Sequence, residues 1–312
     1  MSSTVTSGTQ KSWAETPPAN PPLRGAIAEV VENQTWLGKI ATPLQTWVNN
    51  LFGKQGEPKY AVKNALNGTW LGHPLHPVLT DIPLGTWTTA TALDFISNDD
   101  EGLQRAADIS VWLGLAGAAG SFVTGVAQWS DLDGTDLRVG LMHGLLNSSA
   151  AVLYLGSAIL RGTGQRRTAV TLSTLGYFTS LVAAYLGGEL AFAKGIGVNH
   201  VAFEGGSDDF VAVMDVQDLP EGKLTRVDVS GIPAVLLKQG KAIYAIGATC
   251  SHLGGPLDEG TVENGVVTCP WHGSCYRMSD GSIVNGPATY AEPTFAVRTR
   301  NGKIELRRLD HA

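Results

Sequence analysis

Charge is scarce in this 312-residue sequence: Asp, Glu, Lys and Arg make up 16% of it, against roughly 25% in ordinary soluble proteins. The sum is −6 with no basic excess, so the composition gives no electrostatic reason for a nucleic-acid partner. Cysteine is scarcer still. Cys250, Cys269 and Cys275 are too few for a disulfide framework. An apolar leader is also lacking. Residues 1–23 are rich in Ser, Thr and Pro and end in Pro17-Pro18-Ala19-Asn20-Pro21-Pro22, which predicts a disordered tail and no signal peptide.

What the chain has instead is apolar helix. Over 24–76, Ile27, Val30, Val31, Leu37, Ile40, Leu44, Trp47, Val48 and Leu51 recur at helical spacing. Trp36 and Trp47 suit a membrane interface, and Pro43 is expected to break the stretch into two helices. Over 77–193 come four apolar stretches, each near the ~20 residues needed to cross a bilayer, joined by short connectors. Small residues such as Ala116 with Gly120 and Gly187 with Ala191 suit close helix contact in lipid.

After Lys194 the pattern changes. Residues 194–207 are a Gly-rich linker. Over 208–312, short Val- and Ile-rich runs alternate with Gln239-Gly240, Asn264-Gly265 and Asn301-Gly302, the mark of tight hairpins. The fold class expected is therefore multi-domain, α plus β: a four-helix transmembrane bundle, then a small all-β domain. An even number of crossings places the N-terminus and the β domain on one face of the membrane.

The β domain holds Cys250-Ser251-His252 and Cys269-Pro270-Trp271-His272. Two Cys and two His fit one four-ligand metal site, and zinc accepts such a set as readily as iron does. The wider pattern resembles the Rieske [2Fe–2S] family: Cys250-Ser-His252-Leu-Gly-Gly-Pro-Leu257, Cys269-Pro-Trp-His272-Gly-Ser274, and Gly286-Pro287-Ala288 for that family's third loop. The resemblance implies that Cys250 and Cys269 bind one iron and His252 and His272 the other. Neutral imidazoles there raise the potential above that of four-Cys clusters. It also implies that Ser274 and Tyr276 donate hydroxyl protons to cluster sulfurs, tuning the potential. The positions that carry an inter-loop disulfide in quinol-oxidising members are Gly255 and Trp271 here, so packing and hydrogen bonds must hold the loops. Trp271 reads as a shield for the cluster or as ordinary core, and Cys275 as a buried thiol.

In the membrane half, Gly72-His73-Pro74-Leu75-His76-Pro77 and Asp81-Ile82-Pro83 resemble an uncharacterised four-helix membrane family with an HPxHP motif. Topology puts His73, His76, His143 and His200 near one membrane face, beside the cluster. Three readings stay open: haem b ligated by His76 (or His73) and His143, a quinone pocket using these His and Asp81, or a hydrogen-bonded structural cluster. Basic residues are balanced between the two faces. The lack of disulfides and of a leader favours a cytoplasmic β domain, and Arg166-Arg167 is only a weak twin-arginine signal. Only His311 follows His272, too little for the two-His-one-carboxylate iron site of an oxygenase. The function expected is a membrane-anchored electron carrier in the cell membrane, exchanging electrons with a redox protein or quinone. The alternatives are a redox-sensing membrane protein and an electron-donating subunit of a larger oxidoreductase.

Overall fold

The computed structural model describes residues 27, 29–54, 57–206 and 208–309; the tail expected at 1–23 lies outside them. From Thr35 on come a helix α1 (Thr35–Phe52), a short one, α2 (Tyr60–Asn67), and four long ones, α3 (Leu75–Ile96), α4 (Glu101–Trp129), α5 (Gly134–Gly162) and α6 (Arg166–Gly188), the last running on as a π-helical turn, Glu189–Ala193.

Pro43 does not split α1. The helix runs through it, because Leu37, Ala41 and Val48 are buried on both sides of the proline. That packing outweighs the one backbone hydrogen bond lost. The opposite face of α1 leaves Trp36, Ile40, Trp47 and Leu51 exposed, an apolar stripe one helix-face wide.

Helices α3 with α4, and α5 with α6, form antiparallel hairpins that pack together. The close approaches are not at Ala116 but at Gly114, Gly117 and Gly125 of α4. A Cβ on Gly117 would come within 2.6 Å of Ile82, and one on Gly114 within 2.1 Å of the Trp87 indole. Among the described residues three helices are long and apolar enough to cross a membrane: α4, α5 and Arg166–Ala193. Helix α3, expected as the first of four such spans, falls short on composition. It carries Asp81, Asp94 and five threonines between Thr80 and Thr91. Those hydroxyls donate back to carbonyls three or four residues earlier, from Thr80 to Pro77 and from Thr91 to Trp87, so they ask nothing of their surroundings.

At the end of the bundle remote from the β domain, Asp94 and Asp108 are held by two arginines. Arg161 pairs with Asp94 and with Asp108 at 2.7 Å. Arg166 reaches Asp94 at 2.9 Å and Asp108 at 3.0 Å. The four residues come from α3, α4, α5 and α6. Outward from these helices stand Ile109, Trp112, Phe122, Val152, Ile159 and Phe178, all exposed, the kind of apolar surface that marks contact with lipid or another protein.

The β domain is two antiparallel sheets. The larger runs β1 (Val211–Asp215), β10 (Lys303–Leu309), β9 (Thr294–Arg300), β4 (Ala242–Gly247), β3 (Ile232–Gln239), β2 (Thr225–Val229). The smaller runs β5 (Thr261–Glu263), β6 (Val266–Thr268), β7 (Cys275–Arg277), β8 (Ile283–Asn285). The hairpin signals act as read: Asn264-Gly265 and Asn301-Gly302 sit at positive φ between β5 and β6 and between β9 and β10. On β3, Val235 and Leu237 face a core shared with Ile246, Val267 and Tyr276, while Ala234 and Leu236 face a second one with Ile304 and Leu306. Both faces of this strand are buried, which is why it reads as an unbroken apolar run.

Candidate metal centre

Two loops with the same backbone plan carry the four predicted ligands. After β4, Cys250 N donates to Gly255 O and Gly254 N donates to Cys250 O, both at 2.8 Å. After β6, Cys269 N donates to Ser274 O at 2.8 Å and Gly273 N to Cys269 O at 3.2 Å. Each cysteine thus opens a turn closed on itself, and each turn needs a left-handed residue, supplied by Gly254 and Gly273 at φ +75°. Equivalent turns set the two thiols beside each other and the two imidazoles beside each other. The His252 and His272 ring centroids are 5.1 Å apart.

The donors fall into a thiol pair and an imidazole pair. Among the described residues no three His, Cys, Asp or Glu converge on one point, as a single zinc ion would require. A two-metal cluster with split ligation fits this layout. His252 Nδ1 is buried and has no hydrogen-bond partner among the described residues, the situation of a nitrogen reserved for a metal. Burial, aided by His272, His200 and Lys63, lowers the His252 pKa to about 3, so the ring is neutral, the form a metal ligand needs. A hydrogen bond from Cys250 lowers Cys269 to about 7 and pushes Cys250 up.

The fully buried Tyr276 places its hydroxyl 3.2 Å from Cys250 Sγ and 3.0 Å from Ser251 Oγ. Ser274, also fully buried, accepts from Ala288 N at 3.2 Å, which leaves its own proton to give. Trp271 is no core residue: it is 57% exposed and lies across Gly255, where a Cβ would fall 2.8 Å from Cys269 Sγ and 3.1 Å from the indole. Cys275 is buried, with Thr268 Oγ1 at 3.1 Å from its sulfur.

The outer edge of the imidazoles is turned to the helices. His272 Nε2 lies 3.8 Å from Asp133 at the start of α5. Under His252 is a cavity of about 20 Å³, room for one water, bordered by Ser251, His252 and Tyr290 of the β domain and Asn67, Gln128 and Asp131 of the helical half. Asp131, mostly enclosed, is paired with Lys63 at 2.6 Å; loss of solvent raises its pKa against the pull of that lysine. His200 joins this interface, its backbone N donating to Ser251 O at 3.1 Å. Sequence reasoning missed Asn64, Lys63, Asp131 and Glu292. Glu292 is fully buried and accepts from Ser251 N at 2.7 Å, and burial pushes its carboxyl well up. A charged residue in a largely uncharged stretch was the one signal available for Glu292.

Of the membrane histidines, the structure brings two together. The His76 and His143 rings are 6.3 Å apart. Each is held by a backbone carbonyl of a neighbouring helix, His76 Nδ1 on Ser121 O at 2.9 Å and His143 Nδ1 on Ala183 O at 2.8 Å. Carbonyls only accept, so both rings carry their proton on Nδ1 and a lone pair on Nε2. Gly125 and Gly187 make room for them. His73 and Asp81 do not join the pair. Both are exposed, and His73 Nδ1 faces Pro74 O at 3.2 Å.

Comparison with known proteins places two families on the chain. Residues 209–297 match the Rieske [2Fe-2S] domain, and residues 72–200 match "Predicted membrane protein (DUF2231)". The 3-phenylpropionate/cinnamic acid dioxygenase ferredoxin subunit of Escherichia coli (strain K12) is 36% identical over 90 residues, 28% of this chain and 84% of that protein. Ferredoxin CarAc of Metapseudomonas resinovorans is 29% identical over 96 residues, 30% of this chain and 90% of its own length. Human Apoptosis-inducing factor 3 is 33% identical over 96 residues, of which the chain spans only 16% of that protein's length. Among solved structures, the ferredoxin of carbazole 1,9a-dioxygenase from Nocardioides aromaticivorans IC177 is 25% identical over 31% of this chain and 96% of its own, with a TM-score of 0.31. The chain belongs to the Rieske [2Fe–2S] family through residues 209–297, and joins that electron-carrying domain to a DUF2231 predicted membrane domain at 72–200.

Proposed function

We propose that this protein is a membrane-anchored, one-electron carrier, its cluster held by Cys250 and Cys269 on one iron and by His252 and His272 on the other. The observation that carries the reading is the split of four buried or half-buried donors into a thiol pair and an imidazole pair, with His252 Nδ1 lacking any other partner. When bound, the cluster supplies reversible one-electron chemistry at a potential above that of all-thiolate clusters. The residues do the rest. The neutral imidazoles leave the site less negative, and Tyr276 and Ser274 offer protons that favour the more negative, reduced form.

The exposed apolar flanks of α3 to α6 support a four-helix membrane anchor, with α3 as the fourth crossing beside the three apolar helices, and the stripe on α1 supports an in-plane interfacial helix. On this reading the bundle is residues 77–193, 194–207 the linker and 208–312 the cluster domain, which shares a membrane face with the N-terminus; the balance of signals favours the cytoplasmic one. The His76–His143 pair is the place in the bundle for a second redox group, haem b or a quinone. Its donor chemistry supports this: two imidazoles oriented by carbonyls, the Nε2 lone pair of His143 met only by the Asn147 amide at 3.2 Å. The ferredoxin relatives support a second reading, an electron-donating subunit of a larger oxidoreductase.

The test is a redox titration of the detergent-purified full chain, read by EPR and optical absorbance. A mixed-ligand [2Fe–2S] spectrum with a potential between ferredoxin-like and quinol-oxidising values is expected. A zinc or all-thiolate signal would overturn the assignment, and protein from haem-replete cells without haem absorbance would remove the haem.

A further inference from the structure

Asn64 lies in α2, far in sequence from the cluster ligands, yet its side chain ends on the third cluster loop. Its Nδ2 donates to Asn285 Oδ1, and Gly286 N donates to Asn64 Oδ1 at 3.2 Å. One amide group therefore both gives and takes, which fixes the loop's orientation as well as its distance. The base of this clamp is rigid. The neighbouring Lys63 is almost fully buried, 2.6 Å from Asp131, and Asn67 closes the same helix inside the interface.

The loop passes that constraint on to the metal centre. Gly286 stands at φ +104° with its backbone pressed on the second ligand loop; a Cβ there would come within 2.6 Å of Ser274 Cα and 2.8 Å of Gly273 O. Two residues later, Ala288 N donates to Ser274 Oγ at 3.2 Å. Ser274 and Ala288 are both fully buried. A hydroxyl that accepts one fixed bond has its own proton restricted to the remaining directions. The positions that would link the two ligand loops are Gly255 and Trp271; the bonds described here tie the third loop to the second ligand loop.

We propose that Asn64 is a positioning residue for the cluster: through the loop 285–288 it orients the Ser274 hydroxyl, and the helical half thereby helps to set the reduction potential of the β domain's cluster. This rests on the reading of Ser274 as a donor that raises the potential. Gly286 N keeps a second acceptor, Asn285 Oδ1 at 3.1 Å, so removing the Asn64 amide leaves no buried N–H stranded and the loop remains able to fold.

The experiment is a set of EPR-monitored midpoint titrations on the full chain in detergent, comparing wild type, Asn64→Leu, Ser274→Ala and the double variant. Leu keeps the branched shape and the number of heavy atoms and removes both hydrogen bonds. Ser274→Ala is expected to lower the midpoint. Asn64→Leu is expected to lower it by a third or more of that shift, and the double variant to match Ser274→Ala alone, because both changes act through one hydroxyl. Asn64→Gln, which keeps the amide, is expected to recover part of the shift. If Ser274→Ala lowers the midpoint while Asn64→Leu leaves it unchanged, or if the two shifts simply add, the inference is overturned, whatever happens to stability. If Ser274→Ala itself causes no shift, the tuning role fails and this inference with it. Should Asn64→Leu not accumulate, Asn64→Ala removes both bonds with less bulk and carries the same expectations.

Discussion

Replacing Lys63 with Met removes one charge and little else. The ammonium sits 2.6 Å from Asp131 Oδ1, with side-chain exposures of 3% and 10%, and 5.9 and 5.6 Å from the Phe52 and Tyr60 ring centroids, against which a Met thioether packs as well. The variant leaves a buried carboxylate unpaired. Breaking a buried pair from one side costs about 3–5 kcal/mol. The cost has a ceiling, because Asp131 can take a proton instead. From an unfolded value near 3.8, that proton costs about 4.4 kcal/mol at pH 7 at ~1.36 kcal/mol per pH unit. The loss expected is therefore about 3–4 kcal/mol, measured by denaturant titration of the cluster's absorbance in detergent. Burial already raises Asp131 above its usual value, so the ionised form costs stability. That cost is absent below the unfolded pKa and grows as pH rises toward the folded one. Losing Lys63 raises the folded value further, so the deficit shrinks from pH 7 toward pH 4. Adding Asp131→Asn returns most of it. A Lys63→Met protein within about 0.5 kcal/mol of wild type at pH 7, the range of an ordinary surface change, would refute the reasoning.

Further expectations concern the cluster itself. His252→Cys puts a charged thiolate in place of a neutral ligand and is expected to lower the midpoint; an intact cluster at an unchanged potential contradicts the ligand assignment. Tyr276→Phe removes the hydroxyl 3.2 Å from Cys250 Sγ. If that bond favours the reduced state by ~1 kcal/mol, the midpoint falls by about 40 mV, at 59 mV per 1.4 kcal/mol for one electron, with the EPR line shape retained. Gly255→Ala directs a methyl to within 2.8 Å of Cys269 Sγ and is expected to lower the iron content of purified protein, while Trp271→Phe, at an exposed ring, leaves it near wild type.

The candidate site was legible because its motifs are local. Cys250-Ser251-His252 and Cys269-Pro270-Trp271-His272 each lie in one turn, and the Asn-Gly pairs mark their hairpins by the φ they demand. The apolar length of α4, α5 and α6 was equally plain. The failures came where tertiary packing decides. Pro43 looked like a break, and only the burial of Leu37 and Val48 against the bundle keeps α1 whole. Helix α3 was counted as apolar although its threonines and Asp94 depend on their own carbonyls and on two arginines elsewhere in the chain. Asp81 and His73 shared a motif with His76 but not a helix face. Asn64 and Asp131 had no signal at all, since their partners lie on distant segments.

The far end of the bundle has a property of its own. Asp94, Asp108, Arg161 and Arg166 sum to no net charge. One elementary charge moved through a membrane voltage exchanges about 2.3 kcal/mol per 100 mV; a neutral quartet that moves as a unit exchanges none. The clasp therefore joins four helices by ionic contacts without adding net charge to that end of the bundle, so a voltage across it would find no handle in the quartet itself.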